Sequence, residues 1–156
     1  MAERPDVAPA LAERFPALTG AIAAPRPRRV TCLAPPEVVH QVIDHAVEAL
    51  GFDRLCAITG FDERTHLAVS YALSRPDGTV LSLRTQVPRD QPRLRTVTGR
   101  FPGAANYERE LVDLLGFEVE GLPEGRRYPL PESWPLDQKP LRKDWVLPAP
   151  KPKGGP

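Results

Sequence analysis

The stretch THLAVSYALSRPDGTVLSLRTQV, residues 65–87, decides the fold. Large apolar residues occupy alternate positions in both of its halves, which is typical of β-strands with one buried face. The halves meet at Arg75–Gly78, and a Pro-Asp-Gly turn between two alternating runs predicts a β-hairpin. We therefore expect strands at 65–73 and 79–87, with Leu67, Val69, Tyr71 and Leu73 on the apolar face.

An amphipathic helix is predicted before this hairpin. From Pro36 to Leu50 the apolar residues recur at i, i+3/i+4 and i+7, and Gly51 is suited to end the helix. Shorter strands are predicted at Arg29–Ala34, Arg54–Gly60 and Leu94–Thr98, the last at an edge of the sheet. The predicted fold class is α+β: a small antiparallel sheet covered by an amphipathic helix, with an extended C-terminal arm.

The last third of the chain joins a charged helix to a proline-rich arm. The helix is predicted at Tyr107–Leu115, with Asn106 as its N-cap and Gly116 at its end. Beyond Gly121, prolines prevent a continuous helix or a central strand. Large apolar residues still recur, which a fully disordered tail would lack. The arm is predicted to bury them on its own domain or on a partner: Tyr128, Leu130, Trp134, Leu136, Leu141, Trp145 and Leu147.

The distribution of twenty prolines, which crowd both ends of the chain, suggests how it is divided. Four parts are predicted: an N-terminal segment at 1–27, partly irregular with a short helix at 8–15; an α+β domain at 28–121; an extended partner-docking arm at 122–147; and a disordered tail at 148–156.

Charge and hydropathy exclude several classes of partner. The 21 basic and 20 acidic residues nearly balance, whereas a nucleic-acid-binding protein usually has a basic excess. No apolar run approaches the about 20 residues that span a bilayer. Acidic residues within Met1–Gly20 argue against a signal peptide. We expect a peripheral protein on the cytoplasmic side of the cell membrane, held there by other subunits.

Cysteines and histidines give no support for a metal or redox site. Cys32 and Cys56 are predicted to be buried, reduced thiols, since neither has a Cys or His at ligand spacing. His40 and His45 face different sides of one helix, and His66 lies on a strand. The late glycines follow a helix and so do not form a phosphate loop. No catalytic, metal or cofactor-binding residue is assigned to this chain.

Charged residues on the helix at Tyr107–Leu115 and on the arm are the candidate interface. The acids Glu108, Glu110 and Asp113 lie within about two helical turns, with Arg109 four positions before Asp113. They suit either an acid/base pair or contacts to arginines of a partner, and without a nearby nucleophile we favour the contacts. Arginines of the arm are solvated or pin its register. The predicted interface residues are Glu108, Arg109, Glu110, Asp113, Arg126, Arg127, Arg142, Lys143 and Asp144.

Three motifs in this region are familiar: NYERELVDLLG at 106–116, EGLPEGRRYPLPESW at 120–134 and PLRKDW at 140–145. Together they resemble the thirty-kilodalton subunit of respiratory complex I, the bacterial NADH-quinone oxidoreductase. The resemblance covers roughly Pro35 to Val146. It implies a non-catalytic peripheral-arm subunit that holds no cofactor itself. The flavin, iron–sulfur or nickel–iron cofactors would lie in its partner subunits. Those partners would be the quinone-site subunit and a neighbouring iron–sulfur subunit.

The same family includes subunits of energy-converting [NiFe] hydrogenases and formate hydrogenlyases. The step Gly121-Leu122-Pro123, where the family usually has His in the middle, and the short chain favour that branch. Two other classes remain as alternatives. One is a free-standing small enzyme that uses Glu108, Glu110 and Asp113; the other is an adaptor whose tail at 148–156 acts as an extended proline ligand.

Overall fold

A central β-sheet and its helices make up the computed structural model, which describes residues 5–149. The central strands are β1 Ile22–Arg26, β2 Arg29–Leu33, β3 Arg54–Asp62, β4 His66–Ser74 and β5 Val80–Pro88. A separate pair consists of β6 Arg93–Arg95 and β7 Glu118–Glu120. The helices are α1 Val7–Arg14, α2 Val39–Glu48 and α3 Ala104–Glu110; Pro16–Ala21 is a 3-10 helix, and α3 continues as a π-helical turn at Leu111–Leu115.

The predicted hairpin is confirmed. Strands β4 and β5 pair antiparallel from His66↔Pro88 to Ser74↔Val80. The four residues predicted for the apolar face of β4 are all buried, and Leu81 and Leu83 of β5 join them. In the turn, Asp77 accepts a hydrogen bond from the backbone N–H of Thr79 at 2.9 Å, and Gly78 adopts φ 81°. Only a residue without a Cβ adopts that conformation at little cost.

The α+β class is confirmed, but the five-stranded sheet is mixed rather than wholly antiparallel. Its strand order is β1-β2-β5-β4-β3, and β2 runs parallel to β5 with Arg29 opposite Val80. The remaining pairs in this sheet are antiparallel. Alternation along a strand predicts which face is buried, and it carries no information about the direction of a neighbour distant in sequence.

Helices α1 and α2 contribute buried apolar residues to the core that lies against one face of the sheet. The amphipathic helix is confirmed as α2, although it begins at Val39 rather than Pro36. The short helix expected at 8–15 appears as α1, which buries Val7 and Leu11. Part of the N-terminal segment predicted to be irregular forms β1, an edge strand that contains Pro25. An edge position tolerates proline, because the outward side of the strand needs no N–H donor.

Helix α3 begins earlier than predicted and ends where predicted. It starts at Ala104, and Asn106 lies inside it, so the predicted N-cap is wrong. The helical segment ends at Gly116, which has φ 77°. The N–H groups of Gly116 and Phe117 donate to the carbonyls of Val112 and Leu111 at 3.1 and 3.3 Å, which closes the last turn.

Two smaller predictions are corrected. The strand expected at Leu94–Thr98 is β6, but it pairs in parallel with β7 and not with an edge of the main sheet. Cys32 is buried as predicted, whereas Cys56 is exposed, and both thiols are free. Within residues 5–149 no helix is long and apolar enough to cross a membrane. Residues 150–156 of the predicted disordered tail lie outside the described part of the chain.

Candidate functional site

The C-terminal end of the α3 helical segment is capped by the arm. The last four carbonyls of a helix have no partner within it. Here Lys139 Nζ donates to Val112 O at 3.0 Å, and the backbone N–H of Leu141 donates to Leu114 O at 3.1 Å. Arg142 Nε donates to Leu115 O at 2.5 Å. Two of these donors are cations, which the negative end of the helix dipole favours.

A buried ion pair joins the same helical segment to the start of the arm. Arg127 approaches both carboxylate oxygens of Asp113, with its Nη2 2.8 Å from Oδ1. Asp113 also accepts the backbone N–H of Leu130 at 3.1 Å, and Arg127 donates to the carbonyl of Trp134 at 2.6 Å. Asp113 was predicted to meet an arginine of a partner, and in the structure it meets one from its own arm. A two-point contact of this kind fixes the register of the arm.

The far end of the arm is tied to the turn between β3 and β4. The Asp62 carboxylate, whose side chain is 0% exposed, accepts the backbone N–H groups of Lys143 and Arg64, both at 2.8 Å. Arg89 bridges Asp62 at 2.9 Å and Asp144 at 2.5 Å. Burial by itself would raise the pKa of Asp62, but these two N–H donors and the charge of Arg89 outweigh it, so the pKa lies below its ordinary value.

Two tryptophans and a glutamine close the arm on itself. Trp134 Nε1 donates to the backbone carbonyl of Gln138 at 3.0 Å, and Trp145 Nε1 donates to its side-chain oxygen at 2.7 Å. The two indole rings lie 6.1 Å apart. Buried or half-buried indole N–H groups need an acceptor, and one residue supplies both. This contact was not predicted, because nothing in the sequence pairs Gln138 with either tryptophan.

Arg109 holds the first residues of the arm against α3. Its Nη2 donates to the carbonyls of Pro123 and Glu124 at 3.1 and 3.3 Å. The guanidinium lies so close to Gly125 that a Cβ there would overlap it. Gly125 was overlooked in the sequence, where a glycine in a proline-rich segment looks like any other loop residue.

Glu108 lies inside the protein. It is 2% exposed and accepts the backbone N–H of Val97 at 2.7 Å and the hydroxyl of Thr96 at 2.5 Å. Burial raises its pKa, and these hydrogen bonds oppose the shift. Because Glu108 and Asp113 are buried with separate partners, the structure does not bring the three helix acids into one open site. Among the described residues 5–149, no three His, Cys, Asp or Glu side chains form a group that could hold a metal ion.

Eight of the nine predicted interface residues therefore make contacts inside the chain. The longest of these contacts joins Arg126, whose side chain is 91% exposed, to Glu132 at 4.0 Å. The ninth residue, Glu110, is half-buried. The contacts within the chain leave open whether the same residues face a partner, so the assignment of these nine positions to an interface stays a prediction.

The outward side of the arm differs from its inward side. Leu136, Val146 and Leu147 are 78, 79 and 72% exposed, and Tyr128 and Leu141 are also exposed. The inward contacts are polar or charged, as described above. The arm thus contacts its own domain through hydrogen bonds and ion pairs, while these five apolar side chains are exposed and Leu130, Trp134 and Trp145 are half-buried. Exposed apolar surface of this kind favours binding of another protein or a membrane.

Known proteins share sequence and fold with this chain. The family model described as "Respiratory-chain NADH dehydrogenase, 30 Kd subunit" matches residues 32–151. A subunit of the F(420)H(2) dehydrogenase of Methanosarcina mazei is 30% identical over 138 residues, which cover 86% of this chain and 87% of that protein.

Formate hydrogenlyase subunit 5 of Escherichia coli is 42% identical over 95 residues, which cover 58% of this chain but 17% of that protein. The chain therefore spans less than a fifth of the length of this relative. Among solved structures, a chain of the membrane-bound sulfane sulfur reductase, an archaeal respiratory membrane complex, superposes with a TM-score of 0.73 at 25% identity. The match covers 89% of this chain and 83% of that one.

Proposed function

Because the chain belongs to the family of the respiratory-chain NADH dehydrogenase 30 Kd subunit, we propose that it is a structural subunit of a complex-I-like NADH-quinone oxidoreductase. In this role it packs against the quinone-site subunit, next to an iron–sulfur subunit, on the cytoplasmic side of the membrane. It binds no flavin, iron–sulfur cluster or metal, and electron transfer takes place in its partners.

The two-sided arm is the observation that carries this proposal. Its inner side is held by Lys139, Arg142 and the buried Asp113–Arg127 pair, so the arm has a defined position before any partner binds. Its outer side exposes Leu136, Val146 and Leu147. Covering these side chains with another surface removes apolar area from water and so lowers the free energy of the complex. A preorganised arm loses little conformational entropy on association, so more of the burial energy becomes affinity.

The length of one relative supports the proposal that this chain packs against a larger protein part. The region similar to this chain makes up 17% of formate hydrogenlyase subunit 5, so there it is one part of a much longer polypeptide. We infer that the chain described here packs against an equivalent of that remaining part. Its outward arm provides the surface for this contact.

An equivalent subunit of a membrane-bound energy-converting [NiFe] hydrogenase or formate hydrogenlyase is the second candidate. The 42% identity to formate hydrogenlyase subunit 5 supports it. Both candidates give the chain the same structural role, and they differ in the catalytic subunit that it contacts. In the hydrogenase, a homologous large subunit would take the place of the quinone-site subunit.

Gentle purification of the tagged chain from its native membranes, followed by mass spectrometry, tests the proposal. Flavin- and NADH-binding subunits with a quinone-site subunit would place the chain in complex I. A nickel-bearing large subunit without an NADH module would place it in a hydrogenase. Recovery of the chain alone would reject both and return attention to a free-standing enzyme.

Substitutions on the arm refine this test. Val146→Asp combined with Leu147→Asp should prevent co-purification while the domain stays folded, because both side chains are exposed and point away from it. Leu33→Asp is the matched control, since Leu33 is an exposed leucine at 42% that lies on β2 and not on the arm. Equal loss in both variants would mean that the arm is not the specific contact.

A further inference from the structure

A cleft separates the α3 helical segment from the first residues of the arm. Its volume is about 240 Å³, which is below the range of about 300–1,000 Å³ typical of small-molecule sites. One amino-acid side chain fits this volume. Val112, Leu122 and Pro123 form its apolar wall.

Among the side chains that line this cleft, arginines outnumber carboxylates. Arg109, Arg126 and Arg127 supply three guanidinium groups, and Asp113 and Glu124 supply two carboxylates. Asp113 pairs with Arg127 at 2.8 Å, which leaves Arg109 and Arg126 with Glu124 as the charged lining at the mouth.

Arg109 bonds to acceptors that carry no net charge. Its guanidinium donates to the Asn106 side-chain oxygen at 3.1 Å and to the carbonyls of Pro123 and Glu124. These contacts hold the guanidinium in place, and its charge also acts on the buried carboxylate of Glu108. Arg126 is almost wholly exposed, and its contact to Glu132 at 4.0 Å is at the limit for an ion pair. Exposed pairs of that length contribute little, so Arg126 can exchange its partner at small cost.

We propose that this cleft receives one carboxylate side chain, an aspartate or glutamate, of the partner subunit. The carboxylate binds between the guanidinium of Arg109 and the exposed guanidinium of Arg126, and its methylene groups contact Val112 and Leu122. The inference rests on the proposed function and adds the chemistry of the partner at one point. Apolar contacts along the arm provide area, and this charged contact sets the register of the two subunits.

The test compares association of the chain with its purified partner subunit. Arg126→Glu places a like charge at the mouth of the cleft and should weaken association at least about tenfold. Arg126→Lys keeps the positive charge but lacks the planar guanidinium group. Its affinity for the partner should lie between those of the wild-type chain and of Arg126→Glu. Arg26→Glu is the matched control, because Arg26 is an exposed arginine in the β1–β2 hairpin. A photo-crosslinking residue at position 126 should capture a partner peptide that contains an acidic residue.

The outcomes separate this inference from the proposed function. If the wild-type chain binds its partner, two results overturn the carboxylate site alone. One is equal binding by Arg126→Glu and Arg26→Glu, and the other is a crosslinked peptide without Asp or Glu. No binding by the wild-type chain overturns both. Circular dichroism of each variant should show an unchanged fold, because the side chains at both positions are exposed.

Discussion

The buried carboxylate of Asp62 accepts the backbone N–H of Lys143, 81 positions later in the sequence, at 2.8 Å. This one contact joins the β3–β4 turn of the domain to the last part of the arm. The Asp113–Arg127 pair holds the other end of the arm. The arm is therefore fixed to the domain at two places, one near its start and one near its end. The outward apolar side chains between and beyond these places are thereby held in a defined arrangement.

Asp62→Asn should loosen this end of the arm. An amide lacks the charge that holds Arg89 and the two N–H donors together, so local opening becomes easier by about 1–3 kcal/mol. The Lys143 amide hydrogen should then exchange about 5 to 150 times faster. Asp90→Asn, at an exposed aspartate, is the control. Unchanged exchange at Lys143 would show that the carboxylate does not hold the arm.

Acid should release the same end before the core unfolds. The pKa of Asp62 is lowered on folding, so its contribution to stability is present above the unfolded value of about 3.9 and is lost as the pH falls through the folded value. The only two tryptophans, Trp134 and Trp145, both lie on the arm and report on it by fluorescence. Their emission should change below about pH 4 while far-UV circular dichroism still shows the native sheet. Coincident loss of both signals would argue against a separate step.

Glu108→Gln should change the pH dependence of stability in the opposite sense. Burial raises the pKa of Glu108, so its charged form is penalised as the pH rises from the unfolded value of about 4.3 through the folded value. A glutamine still accepts from the Val97 N–H and can donate to the Thr96 hydroxyl. The variant should therefore gain stability relative to wild type between about pH 4 and pH 7 in urea denaturation. Parallel curves for the two proteins would contradict the assignment.

Gly60→Ala should destabilise the contact between the α3 helical segment and the sheet. A Cβ at this position would overlap methyl groups of Leu111 and Leu115, which approach β3 closely there. Overpacking of this kind costs about 1–3 kcal/mol, measurable as a lower midpoint in chemical denaturation. Gly99→Ala is the matched control, because a Cβ there meets no atom within 4 Å. Equal midpoints for the two variants would mean that the helix adjusts without cost.

Much of the fold could be predicted from the sequence because its signals are local. Alternation at 65–87, the helical spacing after Pro36 and the glycine at 116 all act within a few residues, and each matched an element. The parallel β2–β5 pair and the β6–β7 pair join segments far apart in the sequence. No local periodicity encodes such partners.

The site could be predicted only in outline. The charged positions were found because Arg, Asp and Glu stand out in a proline-rich segment, and the structure places most of them between arm and domain. Their partners depend on how the arm folds back, so the pairing of Asp113 with Arg127 could not be read from spacing. Glu108 was predicted to contact an arginine of a partner, whereas its side chain is buried in the domain, where carboxylates seldom lie. Two hydrogen bonds from Thr96 and Val97 allow its burial.

Hydroxyl-radical footprinting of the isolated chain and of the assembled complex tests whether the outward side of the arm docks on a partner. We expect that Leu136, Leu141, Val146 and Leu147, all exposed in the isolated chain, become protected in the complex. Leu33, exposed on β2, serves as the internal reference. Equal labelling of the arm in both states would contradict the claim that its outward side is the surface that docks on the partner.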